Sequence, residues 1–222
     1  MIAALFSKLL SYPDKDIRKN NLLLIDEIKR TLEKPTADTV TDYLKIFNYF
    51  LEKTTLTEQE EVYTQTFEVQ SITTLDVGYI LFGDDYKRAE LLVNMNRELV
   101  RLNISTGTEL SDYLPNMLLL VNESKDQSLK EEVINHFIYP AVKRMINDFD
   151  SRIIEKKKEV YLKHQKALIE KSKEFQDVYS NILIALKIWL EQAYNAHEII
   201  IESKSNGFLS SIEQEMNIEK IK

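Results

Sequence analysis

The sequence predicts an all-α protein, and its composition and apolar spacing both lead to that fold class. The 222 residues include only four Gly and four Pro, too few for the many tight turns of a β fold. Apolar residues recur at three- and four-residue intervals, which is typical of amphipathic helices. Hydrophobic residues make up 44% of the chain, enough to bury one core at this length. We therefore expect a single-domain helical bundle that ends in long C-terminal helices.

Four helices are predicted in the first 70 residues. The first is short and apolar and stops before Pro13, which forces the residue ahead of it out of helical geometry. The third follows a break at Pro35, and the fourth begins with the Thr-x-x-Glu pattern of a capping box. Their expected first residues or caps are Ile2, Asp16, Thr39 or Thr41, and Thr57.

The middle of the chain contains its clearest helix. Residues 73–82 alternate as a strand would, but their helical neighbourhood favours a short helix. Asp84 is predicted to cap the next helix, which has an apolar face from Leu92 to Leu102. Ser111 is predicted to cap the helix after it, with Pro115 in the first turn, where a missing N–H costs little.

Two long helices are predicted for the last third of the chain, the first of them kinked at Pro140. The insertion between them carries eight Lys or Arg and four Glu, although the whole chain has a net charge of −7. We divide the chain into a helical core at 1–150, a charged helical insertion at 151–175, a C-terminal helix at 176–205 that completes the bundle, and a loosely held tail at 206–222. Asn206-Gly207 is predicted to end the last helix.

Composition argues against several classes of function. The sequence has no Cys, so it offers no disulfide, thiolate metal site or Cys nucleophile. The net negative charge disfavours nucleic acid as a partner; it suits a basic peptide, and it is equally consistent with a role in solubility alone. No apolar run approaches the roughly 20 residues of a membrane span, and the first ten residues lack the basic leader of a secretory signal. We expect a soluble, cytoplasmic protein without stable membrane insertion.

The common signatures of catalysis are absent from the sequence. It has no HExxH, Walker A, GxGxxG or GxSxG pattern. The three His lie far apart, and none has the Glu-x-x-His spacing of a di-iron bundle site. We therefore predict a protein that is not an enzyme and has no catalytic, metal or cofactor-binding residues.

The segment Glu109–Pro115 is the leading candidate for a binding surface, and two interpretations of it are open. In one, Asp112 accepts N–H groups at the start of the next helix and opposes its dipole. In the other, Asp112 faces a groove and receives an Arg or an amide of a bound peptide, with Tyr113 as an aromatic wall and Glu109 as a second carboxylate. The second interpretation predicts that Asp112→Ala weakens peptide binding without a large loss of fold stability.

The segment around Gly83-Asp84 is open to the same two interpretations, since a turn with a helix cap explains it as well as a binding surface does. Tyr79 and Tyr86 flank it. Tyrosine suits the half-exposed wall of a groove because its ring is apolar and its hydroxyl tolerates water.

Five segments of the sequence resemble, in order, the motifs of the NarJ/TorD/DmsD family, also called the nitrate reductase delta-subunit family, in its NarJ-type branch. They are Leu9–Asp14 (LL-x-YPD in the family), Tyr63–Glu68 (Y-x-x-T-F-[DE]), Gly83–Arg88 (GD-x-x-[KR]-R), Glu109–Pro115 (E-L-x-D-[HY]-L-P) and Tyr179–Leu186 (SPY-x-x-[VL]-x-AL). Together the resemblance covers roughly residues 1–150 and 177–190.

The resemblance implies a helical bundle of the TorD/NarJ-like type and a cytoplasmic, non-catalytic chaperone without a cofactor of its own. Such chaperones bind the N-terminal segment of the catalytic subunit of a molybdenum-containing oxidoreductase. They assist molybdenum cofactor insertion and complex assembly before membrane attachment or export. The bound segment is an amphipathic helix or a twin-arginine-type signal, which fits helix-in-groove recognition. The residues predicted to contact it are Asp112, Tyr113, Pro115, Glu109, Tyr79, Asp84, Tyr86 and Arg88.

Two further expectations complete the prediction. The chaperone is expected to be a monomer or weak dimer. The alternative to a chaperone is a non-catalytic helical adaptor that acts through its C-terminal helices. The adaptor predicts dimerisation through the C-terminal half of the chain and no dependence on Asp112.

Overall fold

The computed structural model describes residues 1–157 and 175–197, which fold into helices around one hydrophobic core. The described residues contain no β-strand, so the predicted all-α class is confirmed. The helices are α1 (Ile2–Leu10), α2 (Ile17–Thr31), α3 (Thr36–Lys53), α4 (Leu56–Phe67), α5 (Val77–Phe82), α6 (Tyr86–Arg101), α7 (Leu114–Glu123), α8 (Gln127–Val133), α9 (Tyr139–Asn147) and α10 (Val178–Tyr194). Residues 151–157 are also helical.

Helices α1 and α10 form the centre of the bundle. Seven of the nine residues of α1 are buried, where α1 packs against α2, α7 and α10. Helix α10 packs along α3 and α9 and buries Ile182, Leu186 and Leu190 completely. The C-terminal helix and the first 150 residues therefore share one core.

An aromatic cluster surrounds Tyr179 at the start of α10. Its ring centroid lies 5.3 Å from that of Phe47, 5.7 Å from that of Tyr63 and 5.0 Å from that of Phe67. The Tyr179 hydroxyl is buried and has no hydrogen-bond partner among the described residues. Burial raises the pKa of this phenol, so the hydroxyl stays neutral at any physiological pH.

Two helices in the first half begin earlier than predicted. Helix α3 starts at Thr36, directly after Pro35, because the residue before a helix need not supply a side-chain cap. Thr55 rather than Thr57 caps α4, and its backbone N–H donates to Glu58 at 2.7 Å in a complete capping box. Thr55 and Thr57 each precede a Glu by three residues, and the structure forms the capping box with the first of them, Thr55 and Glu58.

The predicted caps of α6 and α7 are also wrong in position. Asp85 rather than Asp84 caps α6, since its side chain accepts a first-turn N–H at 3.0 Å. Ser111 does not cap α7, which starts at Leu114. Instead, the Ser111 hydroxyl donates to the carbonyl of Leu92 at 2.7 Å and ties the loop before α7 to α6.

The kink predicted at Pro140 takes the form of a π-helical turn. This turn, Ile134–Ile138, lies between α8 and α9, directly before the segment that contains Pro140. Proline has no N–H to donate to the preceding turn, and a wider turn accommodates the missing bond. The predicted long helix is therefore divided into α8, the π-helical turn and α9.

Some predictions fall on residues 158–174 and 198–222, which lie outside the described residues. They concern most of the charged insertion at 151–175, the helix end at Asn206-Gly207 and the tail at 206–222. Helix α10 ends at Tyr194, where Asn195 adopts a left-handed conformation with φ 51°. No helix in the described ranges is both long and apolar enough to cross a bilayer.

Replacing Tyr179 by Phe is expected to raise the free energy of unfolding by about 1 kcal/mol, because it removes a buried hydroxyl that lacks a partner in the described residues. The matched control is Tyr139→Phe, because the Tyr139 hydroxyl donates to Oε1 of Glu191 at 2.7 Å. Loss of this hydrogen bond in the control should lower the free energy of unfolding by about 1 kcal/mol. Urea denaturation measures both signs. A loss at Tyr179→Phe as large as that of the control would mean that this hydroxyl has a partner, such as a buried water.

Candidate functional site

Two loops pair where α5 and α7 begin. Asp76 and Tyr113 form an isolated antiparallel bridge. The first N–H group of α5 donates to the carbonyl of Asp112 at 2.9 Å, and the first N–H group of α7 donates to that of Leu75 at 2.8 Å. These bonds satisfy helix-start donors that have no partner inside their own helices. We call this backbone pairing the clasp.

Arg88 of α6 lies at the centre of an ion cluster beside the clasp. Its Nε donates to Oδ2 of Asp112 at 2.9 Å. Its guanidinium also lies 3.3 Å from Asp76 Oδ2, 3.7 Å from Asp84 Oδ1 and 5.4 Å from the ring centroid of Tyr79. Asp112 is 0% exposed. The Arg88–Asp112 pair is therefore desolvated and interacts far more strongly than a surface ion pair does.

Residue 78 of α5 is Gly because nothing larger fits beside this pair. A Cβ at Gly78 would lie 2.7 Å from Oδ2 of Asp112, 3.0 Å from Cγ of Arg88 and 3.1 Å from Cδ2 of Leu91. The missing side chain lets the backbone of α5 approach the ion pair closely.

The ion cluster has an excess of negative charge. Burial raises the pKa of the Asp76 carboxyl, the neighbouring Asp112 raises it further, and Arg88 opposes the shift. Oδ1 of Asp112 is buried and accepts no hydrogen bond from the described residues. One guanidinium thus serves three carboxylates, and it does not compensate all of them fully.

Tyr113 belongs to a pair of phenols at the end of α1. Its hydroxyl lies 2.7 Å from the hydroxyl of Tyr63, and both hydroxyls lie within hydrogen-bond distance of the Leu10 carbonyl, at 3.2 and 3.3 Å. Burial raises the pKa of Tyr113 to about 12. The last turn of α1 leaves the Leu10 carbonyl without a partner inside the helix, and the neutral phenols supply one. This contact joins α1 and α4 to the clasp.

A cleft of about 550 Å³ opens between the ends of α1 and α4 and the loops of the clasp. Its aromatic walls are formed by Tyr12, Tyr63, Phe67 and Tyr113, and its carboxylates belong to Glu68, Asp76 and Glu109. None of the described residues that line it is Lys, Arg or His. We call this the acidic cleft.

The structure separates the eight predicted contact residues into different environments. Glu109 and Tyr113 line the acidic cleft. Pro115 is buried within α7. Tyr79 and Asp84 contact Arg88, and Tyr86 lies exposed on α6. Only the first two of the eight therefore share the cleft.

Both interpretations of Asp112 need correction. Its side chain does not cap α7, whose start has no side-chain cap, and it does not face an open groove. The arginine that it receives is Arg88 of the same chain. The physical reason is burial, because a carboxylate removed from water requires a fixed cation. Asp112→Ala is therefore expected to destabilise the fold, unlike the expectation from sequence.

Five of the aromatic and acidic residues of the cleft were not predicted as contacts. Tyr12, Tyr63, Phe67 and Glu68 lie in segments that resemble family motifs, so a signal for them was present in the sequence. Asp76 lies in none of those segments, and its position depends on the clasp.

Neither the comparison with protein-family models nor the comparison with curated proteins finds a match to this chain. Across residues 1–157 and 175–197, no group of three or more His, Asp or Glu side chains is arranged to hold a metal ion.

Removing Arg88 is expected to lower the free energy of unfolding by about 3–5 kcal/mol, because Asp112 would remain buried without a cation. The double variant Arg88→Met/Asp112→Asn is expected to lose about 1–3 kcal/mol less than the sum of the two single variants. Chemical denaturation measures this cycle. The control is Arg101→Met, which breaks an exposed pair with Glu98 and should change stability by less than about 1 kcal/mol. Additive single effects would mean that Arg88 and Asp112 do not interact.

Asp76→Asn is expected to change how stability depends on pH. The folded-state pKa of Asp76 is raised, so the wild type binds this proton more tightly when folded and loses stability as pH rises through that pKa. The amide does not titrate. The free energy of unfolding of the variant, minus that of the wild type, should therefore increase as pH rises above about 3.9, the usual pKa of an Asp carboxyl. Denaturation at a series of pH values measures the difference. A difference that decreases over this range would mean that Arg88 lowers the Asp76 pKa.

Proposed function

We propose that this protein is a non-catalytic, cytoplasmic chaperone that binds the N-terminal segment of the catalytic subunit of a molybdenum-containing oxidoreductase. It holds that subunit while the molybdenum cofactor is inserted and the complex assembles, before membrane attachment or export. The observation that carries the proposal is that all five motif-like segments meet at the acidic cleft and at the side chains directly behind it.

Three of the five segments line the acidic cleft. Leu9–Asp14 contributes Tyr12, Tyr63–Glu68 contributes both of its end residues, and Glu109–Pro115 contributes Glu109 and Tyr113. These segments come from three separate parts of the chain. Residues that serve packing alone are spread through the whole core. The meeting of three motif-like segments at one open surface therefore favours a binding role.

The other two segments support the cleft from behind. Gly83–Arg88 supplies the guanidinium that holds Asp112, and Asp112 belongs to the clasp. Tyr179–Leu186 supplies Tyr179, whose ring packs at 5.7 Å against that of Tyr63 in the cleft wall. These residues act as positioning groups, because they fix the side chains that a ligand would touch.

The chemistry of the cleft suits a basic peptide with apolar side chains. Glu68, Asp76 and Glu109 attract a cationic side chain, and no cation among the described lining residues competes for them. Aromatic rings bind both apolar side chains and the face of a guanidinium. A volume of about 550 Å³ accepts a few side chains of a bound segment rather than a whole helix.

The helical adaptor has less support in the described residues. Helix α10 buries Ile182, Leu186, Trp189 and Leu190 inside its own core. This apolar face is therefore not available for a coiled coil with another protein.

The first test is purification of the tagged protein from its native cell, with mass spectrometry of what co-purifies. The chaperone predicts recovery of a large molybdopterin-binding catalytic subunit, and loss of that subunit when its N-terminal segment is deleted. Recovery of the protein by itself, or of unrelated partners, would favour the adaptor.

Glu68→Gln and Glu109→Gln are each expected to weaken binding of the client's N-terminal peptide by about 0.5–1 kcal/mol, because each removes a cleft carboxylate that attracts a basic side chain. The effect should shrink at high salt. Isothermal titration calorimetry with the full chain measures it. The matched control is Glu33→Gln, which removes a carboxylate from a different cleft, next to α2. An equal loss in the control would mean that only net charge matters, and no loss in either cleft variant would place the peptide elsewhere.

A further inference from the structure

The outer face of α6 carries a row of exposed apolar side chains. Tyr86, Val93 and Val100 are 53%, 61% and 68% exposed. Their seven-residue spacing places them on one side of the helix. Ala89 and Asn96 are also exposed and lie between them on the same side. This is the spacing of the contact positions in a two-helix coiled coil, and it continues along the whole length of α6.

The opposite face of α6 is already used inside the protein. Leu91, Met95 and Leu99 are fully buried, and α6 packs against α5 and α7. In the structure formed by residues 1–157 and 175–197, the outer face remains largely exposed. A helix with apolar residues on two opposite faces has a second surface to bury.

The two ends of α6 differ in charge, and this difference selects an orientation for a partner helix. The exposed charged residues are Asp84, Asp85 and Lys87 at the start and Arg97 and Arg101 at the finish. The start thus has a balance of −1 and the finish a balance of +2. Two copies of α6 in antiparallel orientation place opposite charges together, whereas a parallel pair places like charges together. The helix dipoles favour the same antiparallel orientation.

We propose that the outer face of α6, from Tyr86 to Val100, binds the same face of a second copy of this chain in antiparallel orientation. The two-fold axis passes Val93, so that each Val93 meets its own counterpart and each Tyr86 faces Val100 of the partner subunit. Such an interface is self-complementary, as two-fold symmetry requires. The proposal is independent of the chaperone function.

The size of the face makes this a weak dimer. Helix α6 has 16 residues and is therefore about 24 Å long. One pair of such helices buries less than the roughly 1,200–2,000 Å² of a standard interface. Association should therefore depend on protein concentration. None of the outer-face residues lines the acidic cleft, so both clefts of the dimer stay open.

Single introduced thiols test the geometry directly, because the sequence has no Cys of its own. Oxidation of full-length Val93→Cys is expected to give a disulfide-linked dimer, since the two thiols meet at the axis. Val100→Cys alone should not link, because its two copies lie about 21 Å apart along the helices. A mixture of Tyr86→Cys and Val100→Cys should link across the pair. The matched control is Ile46→Cys on α3, a site that is 51% exposed in the wild type.

Analytical ultracentrifugation over a range of concentrations gives the association constant without a cross-link. Val93→Glu is expected to weaken association by about tenfold or more, because it brings two carboxylates together at the axis. Val93 is exposed, so this change should leave the fold intact.

Three outcomes would overturn the proposal. The first is linking of Val93→Cys no faster than that of Ile46→Cys, together with a monomer mass at every concentration. The second is efficient linking of both Val93→Cys and Val100→Cys alone, which means a parallel pair. The third is protection of the Val93→Cys thiol from alkylation by the client peptide and not by higher protein concentration, which would assign this face to the client. None of these outcomes involves the cleft carboxylates, so each leaves the chaperone function to its own tests.

Discussion

The ion pair between Arg88 and Asp112 is the interaction on which the arrangement of the site depends. The two groups lie 2.9 Å apart and are largely removed from water, so breaking the pair would leave a buried charge without compensation. Arg88 also lies close to Asp76, Asp84 and the ring of Tyr79. Oδ1 of Asp112 has no hydrogen-bond partner within the described residues. The pair fixes α5, α6 and the loop before α7 relative to one another, because any loosening would leave a buried charge without its partner.

The same pair explains why the acidic cleft keeps its negative charge. The guanidinium of Arg88 is engaged beside the clasp by three carboxylates, and it is not among the residues that line the cleft. Asp76 belongs to both environments, since it contacts Arg88 and lines the cleft. Burial and the charge of Asp112 raise the pKa of Asp76. A cation that enters the cleft would therefore meet carboxylates that the protein's own arginine has not fully neutralised. Its positive charge would favour the ionised form of Asp76 and lower the pKa of that carboxyl.

The helices were predictable from sequence because a helix that buries one face has apolar residues at every third or fourth position, whatever it packs against. Their first residues were less predictable, since Asp84 and Asp85 are equally suitable caps and the path of the backbone decides between them. The partner of Asp112 was not predictable. Arg88 lies 24 residues away, and the two meet only because the clasp and a glycine in α5 bring their helices together. Asp76 was not predicted as a cleft residue, because the sequence around it carries no pattern that indicates a cleft.

Helix α6 joins the two proposed surfaces of this protein. Its inner face carries Arg88, which is bonded to the clasp and to Asp76 in the cleft wall, and its outer face carries Val93. The ion cluster anchors the first turn of α6, so the outer face is presented on a fixed helix and needs little reorganisation to bind a second copy. In a two-fold dimer the clefts are equivalent and open, so each copy can bind a client segment independently. One route from a bound client to the dimer face runs through Arg88, whose guanidinium contacts Asp76 in the cleft wall.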